Sequence, residues 1–173
     1  MNMKQNSLFR TSIFLLLVLF VSSGFLPVRL FAQPAIASHF DGITVHYYTT
    51  LHEAFDSADP TATIDSPNEI IILKDVVLDE PLLIEDNVHI RLVSGDTDVT
   101  IQRSSNNIEF PVLWVKGEGA SLHLGKPGMG HELFIDGGYL NSGLQAHAPL
   151  VALSGPDAKL FMYDKVYLQN NYN

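Results

Sequence analysis

The chain has 173 residues, with ten Lys and Arg against nineteen Asp and Glu, a formal charge of −9 and no cysteine. Without cysteine there are neither disulfides nor a lipid-bearing cysteine anchor, so an exported domain of this sequence is stabilised by burial alone. The acidic excess repels phosphate backbones and anionic lipid, which argues against nucleic-acid and peripheral-membrane partners.

The amino-terminal segment places Lys4 and Arg10 before the apolar run Ile13 to Val21. A short basic stretch followed by a short apolar one is the layout of a secretory signal peptide. The run falls well short of the roughly 20 apolar residues of a membrane span. The small-x-small triplet Ala35-Ile36-Ala37 predicts cleavage after Ala37, so residues 1–37 read as the signal peptide. Cleavage after Ala32 competes, but it puts Leu30 where a small residue is preferred. The remainder carries seven basic against nineteen acidic residues, because Lys4, Arg10 and Arg29 all precede the cut.

Residues 38–68 read as a lead-in and a capping helix. Ile43 to Tyr48 is a plausible first strand. Thr50 with Glu53 forms a capping box, and Leu51, Ala54, Phe55 and Ala58 share one helical face. A helix of about two turns is too short to stand alone, so its apolar face must cover something.

From Ile70 onward, short apolar bursts recur between Gly, Pro, Asn and Asp. They include Ile70 to Leu73, Val76 to Leu78, Leu82 to Ile84, Val88 to Val93, Val99 to Ile101, Val112 to Val115, Ala120 to Leu124 and Leu133 to Ile135. Leu150 to Leu153, Ala158 to Met162 and Val166 to Leu168 complete the series. In Val88-His89-Ile90-Arg91-Leu92 and Ser121-Leu122-His123-Leu124, polar residues occupy every second position, the mark of a strand with one face inward. The connectors are short yet lack the Asn-Gly or Asp-Gly pair of tight hairpins, so the chain winds rather than zigzags.

An internal repeat supports winding. Pro111 to Leu124 aligns without a gap on Pro149 to Met162 at an offset of 38. The proline, both apolar bursts, the glycine and the alanine coincide. A third burst follows each copy, at Leu133 and at Val166, which predicts three strands per coil. Pro81 to Ile101 fits the same plan more loosely. Repeats of this length signal a solenoid, each coil burying its apolar side on its neighbours. Residues 69–173 therefore read as coils of an incomplete β-helix, with loops at Gln102 to Phe110, Gly125 to Glu132 and Gly138 to Ala148.

The ordered series of Leu51 to Ala58, Asn68 to Leu73, Asn87 to Leu92, Ala120 to Leu124 and Leu133-Phe134-Ile135-Asp136-Gly137-Gly138 resembles the opening of the pectate-lyase-like right-handed parallel β-helices. It is most similar to the repetitive surface and adhesin-type bacterial proteins of that family, over roughly residues 50–171. The resemblance implies an all-β, right-handed, single-stranded parallel β-helix with a short amino-terminal capping helix. It also implies further coils or a capping partner beyond Val166-Tyr167-Leu168-Gln169-Asn170-Asn171.

Enzymes with this resemblance cleave acidic polysaccharides by calcium-assisted elimination or between paired carboxylates. Asp79, Glu80, Glu85 and Asp86 flank one strand, Asp96 and Asp98 share a turn, and Arg91 and Arg103 are the nearby cations. Turn residues of an acidic solenoid look the same. Asp136 and Asp164 read as turn carboxylates capping their own backbone. Of the seven histidines, namely His39, His46, His52, His89, His123, His131 and His147, none has paired zinc-site spacing. His89 and His123 are expected together on a solvent face. Ser94-Gly95 and Ser154-Gly155 are turns without a nucleophile elbow, and Gly117-Glu118-Gly119 runs into a strand where a phosphate loop needs a helix. Trp114 aligns with Ala152 in the repeat, a change of size that an interior stack tolerates poorly unless neighbours compensate; core or loop packing is expected of the tryptophan, with a ligand or partner surface as the alternative. Phe134, Phe161, Tyr163, Tyr167 and Tyr172 are the other aromatic candidates.

No catalytic, cofactor-binding or metal-ligating residue is assigned, and no cofactor is expected. The expectation is a non-enzymatic secreted or cell-surface solenoid, structural or adhesive, with a surface glycan or a host protein as partner. After signal cleavage no stable membrane insertion is expected. The alternative is a polysaccharide lyase or hydrolase of the β-helix class whose catalytic coils lie outside this chain.

Overall fold

The structure, a computed structural model, describes residues 33–105, 109–138 and 148–171. The basic and apolar parts of the leader, His147, Tyr172 and nearly all of the loop from Gly138 to Ala148 lie outside the described residues. Gln33–Asn173 belongs to one unit.

Among the described residues, eleven short strands wind through three parallel sheets. The first winding runs through β3 (Asn68–Ile72), β4 (Val76–Leu78) and β5 (Leu82–Ile84), and the second through β6 (His89–Ser94), β7 (Val99–Arg103) and β8 (Leu113–Val115). The third is β9 (Ser121–Leu124), β10 (Leu133–Asp136) and β11 (Val151–Leu153), followed by β12 (Lys159–Met162) and β13 (Val166–Gln169). Ahead of them lie β1 (Ala37–Phe40), β2 (Val45–Tyr48) and helix α1 (Leu51–Asp56). The sheets are ordered β12-β9-β6-β3-β1-β2, β13-β10-β7-β4 and β11-β8-β5. This is the solenoid expected from the repeat, in the right-handed parallel β-helix form that the resemblance implies.

The repeat offset is the sheet register itself. Leu113 pairs with Val151, and Ser121 pairs with Lys159. One residue of slip would turn every inward side chain out, so the alternation holds the register. Inward residues stack in columns, among them Ile70, Leu92 and Leu124, all 0% exposed. Each such side chain, fully buried, is worth about 1.5–3 kcal/mol against exposure.

One corner repeats in every winding. Asn87, Gly119 and Asp157 all take positive φ, at 57°, 65° and 56°. Asn87 N–H donates to Glu118 O at 2.9 Å, and Gly119 N–H donates to Pro156 O at 2.8 Å, so the corners are bonded from coil to coil. Left-handed backbone suits Gly, Asn and Asp. The coils approach so closely here that a Cβ on Gly117 would collide with the backbone of Glu85 and Asp86, and one on Gly155 with the backbone of Lys116 and Gly117.

Helix α1 is capped as expected: Glu53 N–H donates to Thr50 Oγ1 at 3.1 Å, and Glu53 Oε2 accepts from Thr50 N–H at 3.2 Å. Its buried side chains Leu51, Ala54 and Phe55 cover the first winding. The strand expected from Ile43 begins at Val45, because Asp41 Oδ1 accepts from the N–H groups of Ile43 and Thr44 and closes a turn there. A strand the burst pattern misses, β1, precedes it and pairs antiparallel with both β2 and β3. Its sequence Ala-Ser-His-Phe carries only one large apolar residue, so neither hydrophobicity nor alternation marks it.

Arg103 occupies an inward position of β7 and is 1% exposed. Its Nη2 donates to Ala148 O at 2.9 Å and Pro149 O at 2.7 Å. Desolvation lowers its pKa. The guanidinium ties β7 to the segment entering β11, so Arg103 is not a cation for a surface site.

Candidate functional site

The outward positions of the six-stranded sheet form rows that cross the windings. One row runs Glu69, Arg91, His123, Phe161, following the registers of β3, β6, β9 and β12, and in the same sheet Phe40 of β1 pairs with Val45 of β2. Beside it, His89, Ser121 and Lys159 form a second row. Alternation in each strand creates these rows, because each residue between two inward ones faces out.

The charged part of the row is an ion-paired chain. Lys126 Nζ lies 2.6 Å from Glu69 Oε1, and Arg91 Nη1 lies 3.9 Å from Glu69 Oε2. Three of the seven cations that follow the leader, Arg91, Lys126 and Lys159, thus come to one face of an acidic chain. His123 stacks on Phe161 with centroids 4.3 Å apart and planes 19° apart, and Tyr163 continues the stack. His89 Nδ1 meets Ser121 Oγ at 2.8 Å.

His123 was expected on a solvent-exposed face, and this is corrected: it is on the outer face but only 3% exposed. Phe161 lies against its ring and Tyr163 Oη is 3.4 Å from its Nδ1. Burial, then the nearby positive charge of Arg91 and His89, pushes its pKa down to about 4, against the opposing pull of Asp65. It is therefore neutral at pH 7, with one ring nitrogen able to donate and the other to accept. Its Nε2 and the Arg91 Nε are buried without a hydrogen-bond partner. Burial likewise lowers the pKa of His89, with Lys159 adding to it.

Near Glu69 a cleft of about 340 Å³ opens between the β1–β2 turn and the segment before β3, lined in part by His39, Asp41, Asp59 and Glu69. Asp59 and Asp41 are both committed to local structure. Asp59 Oδ1 accepts from Thr61 N–H and Oγ1. The Thr44 amide, then His46 and the Ile43 amide, hold the Asp41 carboxyl well below the usual carboxylate range. Phe40 and Tyr47, 56% and 67% exposed, extend the face with aromatic surface.

The other candidates are dispersed. Asp79 and Glu80 border a cleft beside His52, at one end of β5, while Asp86 at its other end accepts from Glu118 N–H at 2.8 Å. Asp98 Oδ1 accepts from Glu132 N–H at 2.8 Å. Asp136 accepts from Gly138 N–H, Gln169 Nε2 and Asn170 Nδ2, the turn role expected of it, extended to the next coil. Among the described residues no group of three or more His, Cys, Asp or Glu is placed to hold a metal ion.

For Trp114 the core half of the expectation is corrected, while packing on a turn is found. It stands on the outer face of β8, between Leu83 and Ala152, with its Nε1 donating to Ser154 Oγ at 2.8 Å. A small residue in the repeat copy is tolerated because no interior volume depends on it. Glu69, Lys126, Phe161 and Tyr163 were not singled out with His123 in the sequence. The offset of 38 contains part of that signal, since it sets His123 directly beside Phe161.

The geometry defines a class: a three-sheet parallel β-helix solenoid with a polar and aromatic outer face. No protein-family model, no curated protein and no solved structure matches the chain.

Proposed function

We propose that the chain is an exported, non-enzymatic adhesive module of the cell surface, and that the outer face of its six-stranded sheet binds a glycan. The observation that carries this reading is the row Glu69, Arg91, His123, Phe161, where charged and hydrogen-bonding groups stand beside stacked aromatic rings. Sugars present hydroxyl edges and apolar faces together, and aromatic rings with a few fixed polar groups match both. Rigid strands hold the groups, which limits the ordering cost of binding. Three of the candidate carboxylates, Asp86, Asp98 and Asp136, accept hydrogen bonds in separate turns, which supports a binding reading over a paired-carboxylate one.

The test is binding of the purified chain to surface oligosaccharides, for the wild type and for Arg91→Ala and Phe161→Ala. The expected outcome is saturable binding weakened at least about tenfold in both variants, as loss of roughly 1.4 kcal/mol implies. Equal binding by wild type and variants would remove the site. Release of new reducing ends or unsaturated sugars would favour the lyase or hydrolase alternative. Capture of a protein ligand with no glycan binding would move the reading to a host-protein adhesin.

A further inference from the structure

We infer that the leader is removed between Ala32 and Gln33, so that the exported chain begins at Gln33 and keeps the triplet Ala35-Ile36-Ala37 as folded structure. This rests on the reading that the first residues are an export signal. By residue type alone, Ala35 and Ala37 make the better recognition pair. The folded product argues otherwise.

Ile36 is built into the first sheet from both sides. Its N–H donates to Tyr48 O at 2.8 Å, and its carbonyl accepts from Leu73 N–H at 2.8 Å. Ala37 is 0% exposed and pairs with Tyr48 on one side and Ile72 on the other. A cut after Ala37 deletes these bonds at the strand that joins the β1–β2 hairpin to the first winding. It also makes Ser38, paired between Ile71 and Tyr47, the charged chain end of an interior strand, where an ammonium replaces the peptide link to Ala37.

A cut after Ala32 has neither consequence. Gln33 and Pro34 are exposed, and Pro34, lacking an N–H, takes no donor from the ladder that begins at Ile36. Ala32 supplies the small residue before the bond, and Leu30 is the departure from the preferred pattern. In the reaction water adds to the Ala32 carbonyl and the bond to the Gln33 nitrogen breaks. The leader leaves with a carboxylate and the product with a free amine in solvent.

The full chain is expressed in a bacterial host, and the exported product is read by top-down mass spectrometry. The expected terminus is Gln33, as the free amine or cyclised with loss of ammonia. A terminus at Ser38 overturns the cut position while leaving export standing, and an uncut chain retained in the cytosol overturns export and cut together. Two variants sharpen the result through processing, which precedes folding. Ala35→Tyr spoils the downstream pair and is expected to be cut as wild type; Ala32→Tyr is expected to abolish the Gln33 product. The reverse pattern overturns the inference.

Discussion

Two copies of one pattern meet different fates in this molecule. In β8 and β9, Leu113, Val115, Leu122 and Leu124 are all 0% exposed. Their partners one repeat later, in β11 and β12, are half-open: Val151 and Leu160 are partly buried, while Leu153 and Met162 are 45% and 46% exposed. Inward direction is written into each strand by its alternation. Burial is not, because a solenoid residue is covered by the coils on both of its sides, and β11 and β12 pair on one side only among the described residues.

The corner glycines sharpen that comparison most. Gly117→Ala forces a Cβ into the backbone of Glu85 and Asp86, atoms that no side-chain rotation moves away. Its melting temperature is expected to fall furthest of all the variants, by roughly 3 kcal/mol or more of stability. Gly128→Ala, where a Cβ meets nothing but φ is +72°, gives the smaller cost of backbone strain alone, about 1–2 kcal/mol. Chemical denaturation of the pair separates clash from conformation.

Next, Leu122→Ala against Leu160→Ala tests the two copies at one register position. The first removes a fully buried side chain and should cost about 3 kcal/mol, and the second about half as much. Equal losses in urea melts would mean that the outer coil is covered in solution and would break the comparison.

Acid gives the smallest of the three effects. His123 has its pKa pushed down to about 4 in the folded chain, below the ordinary 6.5. Between those values the unfolded chain takes up a proton that the folded chain refuses. Its contribution is whole above about pH 6.5 and is lost as pH falls toward 4. His123→Gln should flatten that acid arm, with a remainder from His89, whose pKa is also lowered by burial. An unchanged pH profile by differential scanning calorimetry would show that His123 is open to water.

Much of this was legible from residues alone. The three-strand winding, the capping box at Thr50 and Glu53, and the turn role of Asp136 follow from local spacing and from short-range hydrogen bonding. The site was less legible. Glu69, Arg91 and His123 come from separate windings, and Lys126 reaches Glu69 across 57 residues of chain. A burst pattern says which residues face out, but only the coil lengths, which differ from winding to winding, say which outward residues become neighbours.

The sequence by itself determined the class of fold, because alternation, glycine corners and a gap-free repeat are all local constraints that agree. Tertiary structure alone decided three things: that Ala35-Ile36-Ala37 leads into a central strand, that Arg103 points inward to hold the Ala148 and Pro149 carbonyls, and that His123 is buried on an outer face. In each case the deciding contact comes from a residue at least a dozen positions away, and stacking of coils, rather than any short motif, brings it there.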